Sequence, residues 1–195
     1  MALVFEKGLK EATEKLLEFA QTLPTPIVLI DGRAGSGKSL FASRLADAYF
    51  QEQRQAARIV HLDDLYPGWE GLMSGSVYAR EKILEPISNG KTASWQIWDW
   101  ASGQRGSSEE IGNGFREFGG STALILEGCG ALSKASAELA SLKIWLDSDE
   151  RLRRQRFSAR DGGKYDEFWG IWAAQEDEFY ASEKSKELAE LIIQN

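Results

Sequence analysis

Ile27-Val28-Leu29-Ile30-Asp31-Gly32-Arg33-Ala34-Gly35-Ser36-Gly37-Lys38-Ser39 is the stretch that decides the fold of this 195-residue chain. Four consecutive apolar residues, held extended after Pro24 and Pro26, fit a short strand buried on both faces. Gly32 to Ser39 then matches G-x-x-x-x-G-K-[ST]. The chemistry explains the spacing. Glycines let backbone wrap closely around phosphate oxygens with its N–H groups turned inward. Gly32, Arg33, Ala34, Gly35, Ser36, Gly37, Lys38 and Ser39 are therefore the expected cradle for a nucleoside triphosphate. Lys38 supplies a point charge to the terminal phosphates, and the Ser39 hydroxyl reaches Mg²⁺. The helix opening at this point adds its positive N-terminal end.

Outward from this loop, short apolar runs alternate with stretches of helical spacing. Residues 3–22 and 38–54 place apolar side chains three and four apart, on one face each. Arg58–Leu62, Ala123–Leu126, Leu142–Leu146 and Leu191–Ile193 read as further strands, and Trp95–Trp98 as a short one. Residues 76–88, 149–160 and 166–187 read as helices, the last with Phe168, Trp172 and Phe179 near one face. Strands separated by helices imply parallel pairing through crossovers. The expected fold class is α/β: a three-layer, doubly wound parallel sheet of the P-loop type, in one domain over 1–195. The Gly- and Ser-rich stretch Ala101–Gly120 reads as a flexible loop.

Composition narrows the function. Lys and Arg total 23 against 30 for Asp and Glu, a net charge of -7 that argues against nucleic acid or an anionic membrane surface as partner. A single cysteine, Cys129, excludes an internal disulfide framework and a cysteine zinc site, and a single histidine, His61, excludes a multi-histidine metal site. No apolar run approaches a membrane span, and residues 1–19 lack a signal-peptide hydrophobic region, so the reading is a soluble cytoplasmic protein. No N-K-x-D segment is present to select guanine. The strand at 123–126 runs into Glu127-Gly128, without the Asp-Glu end of motor and helicase ATPases.

Four segments, in order, resemble the uridine kinase family of P-loop kinases, close to pantothenate kinase and phosphoribulokinase. They are IDGRAGSGKS at 30–39, Val60-His61-Leu62-Asp63-Asp64-Leu65-Tyr66, Trp98-Asp99-Trp100, and Leu126-Glu127-Gly128 followed by IWLDSDERLRRQRFSARD at 144–161. The segment after the second, PGWEGLMSGS at 67–76, departs from the family's Asp-, His- and Pro-rich nucleoside-binding stretch. The resemblance implies an ATP-dependent kinase, with ATP and Mg²⁺ as ligands and the hydroxyl of a nucleoside or similar polar metabolite as acceptor. A regulatory protein that binds ATP without transferring phosphate is the alternative.

Phosphoryl transfer asks the protein to align a hydroxyl with the γ-phosphate and to neutralise spreading charge. A carboxylate at the end of the second strand lies at the ligand-binding edge of such a sheet. Asp63, which the resemblance favours over Asp64, is the expected base. Glu127, ending a strand beside the loop strand, is the expected Mg²⁺ partner with Ser39. Arg153, Arg156 and Arg160 share a helix face, and Arg156 and Arg160 are the expected clamp on the phosphates, in a lid over about 156–164 that contains Gly162 and Gly163. Tyr66, Trp98, Asp99 and Arg105 are the expected acceptor contacts, the aromatic residues by stacking and Asp99 by hydrogen bonding to hydroxyls.

Overall fold

The computed structural model describes residues 3–106 and 114–195. The chain runs β1 (Leu3–Val4), α1 (Phe5–Ala20), β2 (Ile27–Asp31), α2 (Lys38–Gln53), β3 (Arg58–His61), α3 (Leu72–Ala79), α4 (Glu85–Ser88), β4 (Ala93–Gln96), β5 (Trp98–Asp99), β6 (Gln104–Arg105), β7 (Phe115–Phe118), β8 (Leu124–Glu127), α5 (Lys134–Ala137), β9 (Leu142–Asp147), α6 (Glu150–Arg160), α7 (Trp169–Glu183), α8 (Ser185–Leu188) and β10 (Leu191–Gln194). Six strands form one sheet in the order β1-β10-β9-β2-β8-β3. Every pairing in it is parallel. With helices packed on both faces of this sheet, the fold is three-layered, as the alternation of strands and helices implies.

Both faces of the sheet are covered, and β2 shows how. Ile27 and Leu29 face a core built with Val60, Leu126, Ile83 and Phe179, while Val28 and Ile30 face another built with Leu16, Phe41, Leu45 and Ile144. All five β2 residues are buried, which is why the strand reads as an unbroken apolar run. β2 therefore lies mid-sheet, between β8 and β9, and its carboxyl end delivers the phosphate loop to the middle of one edge.

Several expected elements are drawn differently. Leu3 and Val4 are not helical: they pair with β10 as an edge strand, and the helix begins at Phe5. The helix expected over 76–88 starts earlier, at Leu72, and widens into a π-type turn over Arg80–Leu84 before α4. The segment expected as one helix over 166–187 is a short 3₁₀ turn at Asp166–Phe168, then α7, which stops where Lys184 takes φ +60°. Within Ala101–Gly120, expected as loop, Gln104–Arg105 pairs with Trp98–Asp99 and Phe115–Phe118 pairs with β4, each antiparallel. Polar residues on two short hairpins that stand apart from the main sheet carry too little apolar alternation to announce strands. The rest of that stretch, 107–113, lies outside the described residues. Among the described residues no helix is long and apolar enough to cross a membrane.

Candidate active site

The phosphate loop runs from the end of β2 into α2. Gly35 and Gly37 take φ of +76° and +96°, a region L side chains avoid, and a Cβ at Gly35 would strike the Arg153 carbonyl of α6. Lys38 is buried and its ammonium donates to the carbonyls of Gly32 at 2.7 Å and Arg33 at 3.1 Å. Burial pulls its pKa down, but the surrounding Cys129, Glu127, Glu176 and Asp31 outweigh that and hold the ammonium above the ordinary lysine range. Ser36 is fully buried with its hydroxyl unpartnered.

Asp31 anchors the base of the loop. Its carboxylate accepts from the backbone N–H groups of Gly32, Gly130 and Leu132 at 2.6, 3.0 and 2.9 Å, and from the Tyr180 hydroxyl at 2.7 Å. Burial nevertheless wins and pushes its pKa up to about 6, against these hydrogen bonds and the Lys38 charge. Two helices clamp the loop from outside. Glu176 of α7, buried, accepts from the Ala34 N–H at 2.6 Å and from the Cys129 thiol at 3.3 Å, and pairs with Arg33. From α6, Arg153 donates to the Ala34 carbonyl at 3.3 Å and Arg156 to the Gly35 carbonyl at 3.4 Å. Asn195, just beyond β10, donates to the Ser36 carbonyl at 2.8 Å.

In front of the loop lies a cavity of about 470 Å³, within the usual range for a small-molecule site. Lys38 and Ser39 border it on the loop side, and Asp63, Glu127, Arg156 and Arg160 border it as well. Register places Glu127 beside Ile30 of β2 and beside His61 of β3, so β8 stands between the loop strand and the Asp63 strand. Asp63 still reaches the cavity because β3 gives way to a 3₁₀ turn over Leu62–Asp64, which carries the carboxylate past the strand end. Arg160 meets that carboxylate at 3.2 Å. His61 Nδ1 lies 2.5 Å from the Glu127 carboxylate, and that hydrogen bond, against burial, raises the imidazole pKa.

The four expected acceptor contacts separate. Tyr66 lines the cavity, with its hydroxyl donated to the Cys129 carbonyl at 2.8 Å. Trp98, Asp99 and Arg105 do not line it. The Asp99 carboxylate closes its own turn, accepting from Ala101 N–H and the Ser102 hydroxyl. Arg105 donates to the carbonyls of Gln96 and Leu65 and lies 3.7 Å over the Tyr78 ring, with Trp98 further out. In the phosphate loop, Arg33 turns away from the cavity to pair with Asp177 at 2.6 Å.

Several solved structures share this fold over nearly the whole chain. The possible uridine kinase of Bacillus stearothermophilus superposes with a TM-score of 0.62 at 15% identity, covering 95% of this chain and 98% of its own. A candidate fructose transport system kinase from a Silicibacter species gives 0.58 at 20%, with the same coverages. D-glycerate 3-kinase from Cryptococcus neoformans gives 0.52 at 13%, covering 94% and 87%. The fold is that of the uridine kinase-like P-loop kinases. No family model and no curated protein matches the sequence. At these identities the similarity is carried by backbone path.

Seen as a P-loop kinase fold, the chain owes several site residues to packing rather than to motif. Trp69, Trp100, Phe157, Tyr165 and Trp172 line the cavity beside Tyr66. Trp69 and Trp100 come from the loops after β3 and β5, the others from α6, the turn after it and α7. Glu176 carried a readable signal: it falls four residues after Trp172 and three before Phe179, on the apolar face of its helix, where a carboxylate needs a partner. The partner, Ala34, is 142 positions earlier in the chain and could not be read locally. His61 had no such signal, since its meeting with Glu127 depends on strand order.

Proposed function

We propose that the chain is an ATP-dependent phosphotransferase that moves the γ-phosphoryl group to the hydroxyl of a small molecule. The observation that carries this reading is the convergence of Lys38, Ser39, Glu127 and Asp63 on one cavity at the carboxyl edge of the sheet. The phosphate cradle fits its ligand: left-handed glycines turn the loop tightly into the start of α2, Lys38 brings a positive charge to the cavity, and the buried Ser36 hydroxyl is left without a partner. Among the described residues no cluster of three or more His, Cys, Asp or Glu could hold a metal alone. One hydroxyl and one carboxylate suit Mg²⁺, which takes the rest of its shell from phosphate and water. Ser39 and Glu127 would hold it, and when bound it neutralises charge on the phosphates. His61 orients Glu127 from the neighbouring strand.

Asp63 takes the acceptor proton as the hydroxyl oxygen attacks, and Arg160 must first leave that carboxylate. Its swing toward the phosphates, on a segment ending in Gly162 and Gly163, would place charge where it develops and expel water. Lys38→Ala is expected to abolish MgATP binding in calorimetry. Asp63→Asn should keep that binding while lowering kcat by about 10²–10⁴ on any accepted alcohol. Full activity in Asp63→Asn removes Asp63 as the base.

A further inference from the structure

The acceptor half of the cavity has a chemistry of its own. Resting on the proposed kinase activity, we infer that the acceptor is an alcohol carried on a flat, weakly polar ring, and that a sugar, a hydroxy acid or a nucleoside read by its polar edges is disfavoured. Trp69 is the hub of this wall. Its ring centroid lies 5.1 Å from Trp100, 5.3 Å from Tyr165 and 6.2 Å from Trp172, and it is stacked on Phe168 at 4.6 Å with an interplanar angle of 3°. The Phe168 stack fixes the indole, so the wall is rigid before a ligand arrives.

The aromatic make-up of the wall points to the class. Neighbouring hydroxyls of a polyol call for carboxylate, amide or guanidinium groups in pairs, and a carboxylate-bearing acceptor calls for a cation remote from the phosphates. Several of the polar groups around the wall are already engaged elsewhere. The Trp100 indole N–H donates to the Asp63 carbonyl at 3.0 Å, and the Tyr66 hydroxyl to the Cys129 carbonyl. Gln175, the nearby amide, donates to the Trp69 carbonyl at 2.6 Å and accepts from Leu72 N–H at 3.2 Å. Arg105 and Asp99 are held by backbone and by their own turn. Of the charges that border the cavity, Lys38 lies in the phosphate loop, Arg156 bonds to that loop, Glu127 ends the strand beside it, and Arg160 pairs with Asp63. A ring resting on Trp69 and Trp100 would direct a hydroxymethyl arm to Asp63. There the alcohol oxygen bonds to the γ-phosphorus, the bond from that phosphorus to the β–γ bridging oxygen breaks, ADP leaves with the electron pair, and Asp63 takes the proton.

The test is a panel of alcohols with MgATP and the full chain, following ester formation by mass spectrometry and binding by calorimetry. The flat-ring arm is 3-pyridylmethanol and 2-naphthalenemethanol; the comparison arm is fructose, glycerate and uridine. We expect kcat/KM at least about tenfold higher for the best flat-ring alcohol, the value of one good stacking contact. Trp100 is 40% exposed, so Trp100→Ala should fold; it is expected to raise KM for that alcohol about tenfold with kcat near wild type, and Trp100→Phe to restore most of the affinity. A preference for fructose, glycerate or uridine overturns the ring assignment and leaves the kinase reading standing. MgATP binding with no ester from any alcohol overturns both.

Discussion

At the scale of single residues, Asp31 is the most exacting demand the loop makes. Its carboxyl is fully buried, with a pKa of about 6 against an ordinary 3.8. Between those two values the folded protein holds a proton that the unfolded chain has released. The stabilising contribution is therefore complete below the unfolded value and is lost as pH rises through about 6, a swing of about 3 kcal/mol. Asp31→Asn cannot titrate. Its amide also faces three backbone donors, so a fixed penalty is expected at every pH. Denaturant unfolding of both proteins from about pH 4 to pH 7 should show the wild type losing stability relative to the variant as pH rises. A constant difference between the two curves would show that Asp31 is ionised throughout.

Elements show how much could be read from sequence and how much could not. β2, the loop and α2 are contiguous, so their pattern is local and their placement follows from it. β8 is buried on both faces and β9 over most of its length, so both read as apolar runs for the same reason, while β10 buries Leu191 and Ile193 on one face and leaves Gln194 exposed. The hairpins β4–β7 and β5–β6 are held by pairings across residues 97–114, and they carry the cavity's Trp100 while turning Trp98, Asp99 and Arg105 elsewhere. A motif alone could not tell which of the neighbouring aromatics faces the site, because strand alternation and turn geometry decide it. α7 is the element whose role was hardest to foresee. Through Glu176 it satisfies the Ala34 N–H inside the loop, and through Tyr180 it reaches Asp31. Glu176→Ala leaves that N–H without its acceptor, and a loss of about 2 kcal/mol in unfolding free energy is expected from urea denaturation. Asp177→Ala, one residue on and exposed, should cost little, so equal losses would mean that α7 is fastened by its aromatic face alone.

For the whole molecule, the decisive fact is where the chain end returns. β10 inserts between β9 and β1, joining the C-terminal strand to the first residues of the chain, and Asn195 continues from it to the phosphate loop. Closure of this side depends on a close approach between Gly8 of α1 and Ile193 of β10. A Cβ at Gly8 would lie 2.6 Å from Ile193 Cγ1 and 2.8 Å from Cδ1, closer than side chains pack. Gly8→Ala gains about 1 kcal/mol of helix propensity but overpacks this contact, for a net loss of about 1–2 kcal/mol. Ile193 is fully buried, and Ile193→Ala removes core volume at a cost of about 3 kcal/mol. In the double variant the new methyl enters the space the isoleucine vacated. Its destabilisation should fall short of the sum of the two single losses by about 1 kcal/mol or more, measured as a cycle of urea midpoints. Additive losses would place Gly8 out of contact with Ile193 and detach the first helix from the return of the chain that completes the sheet.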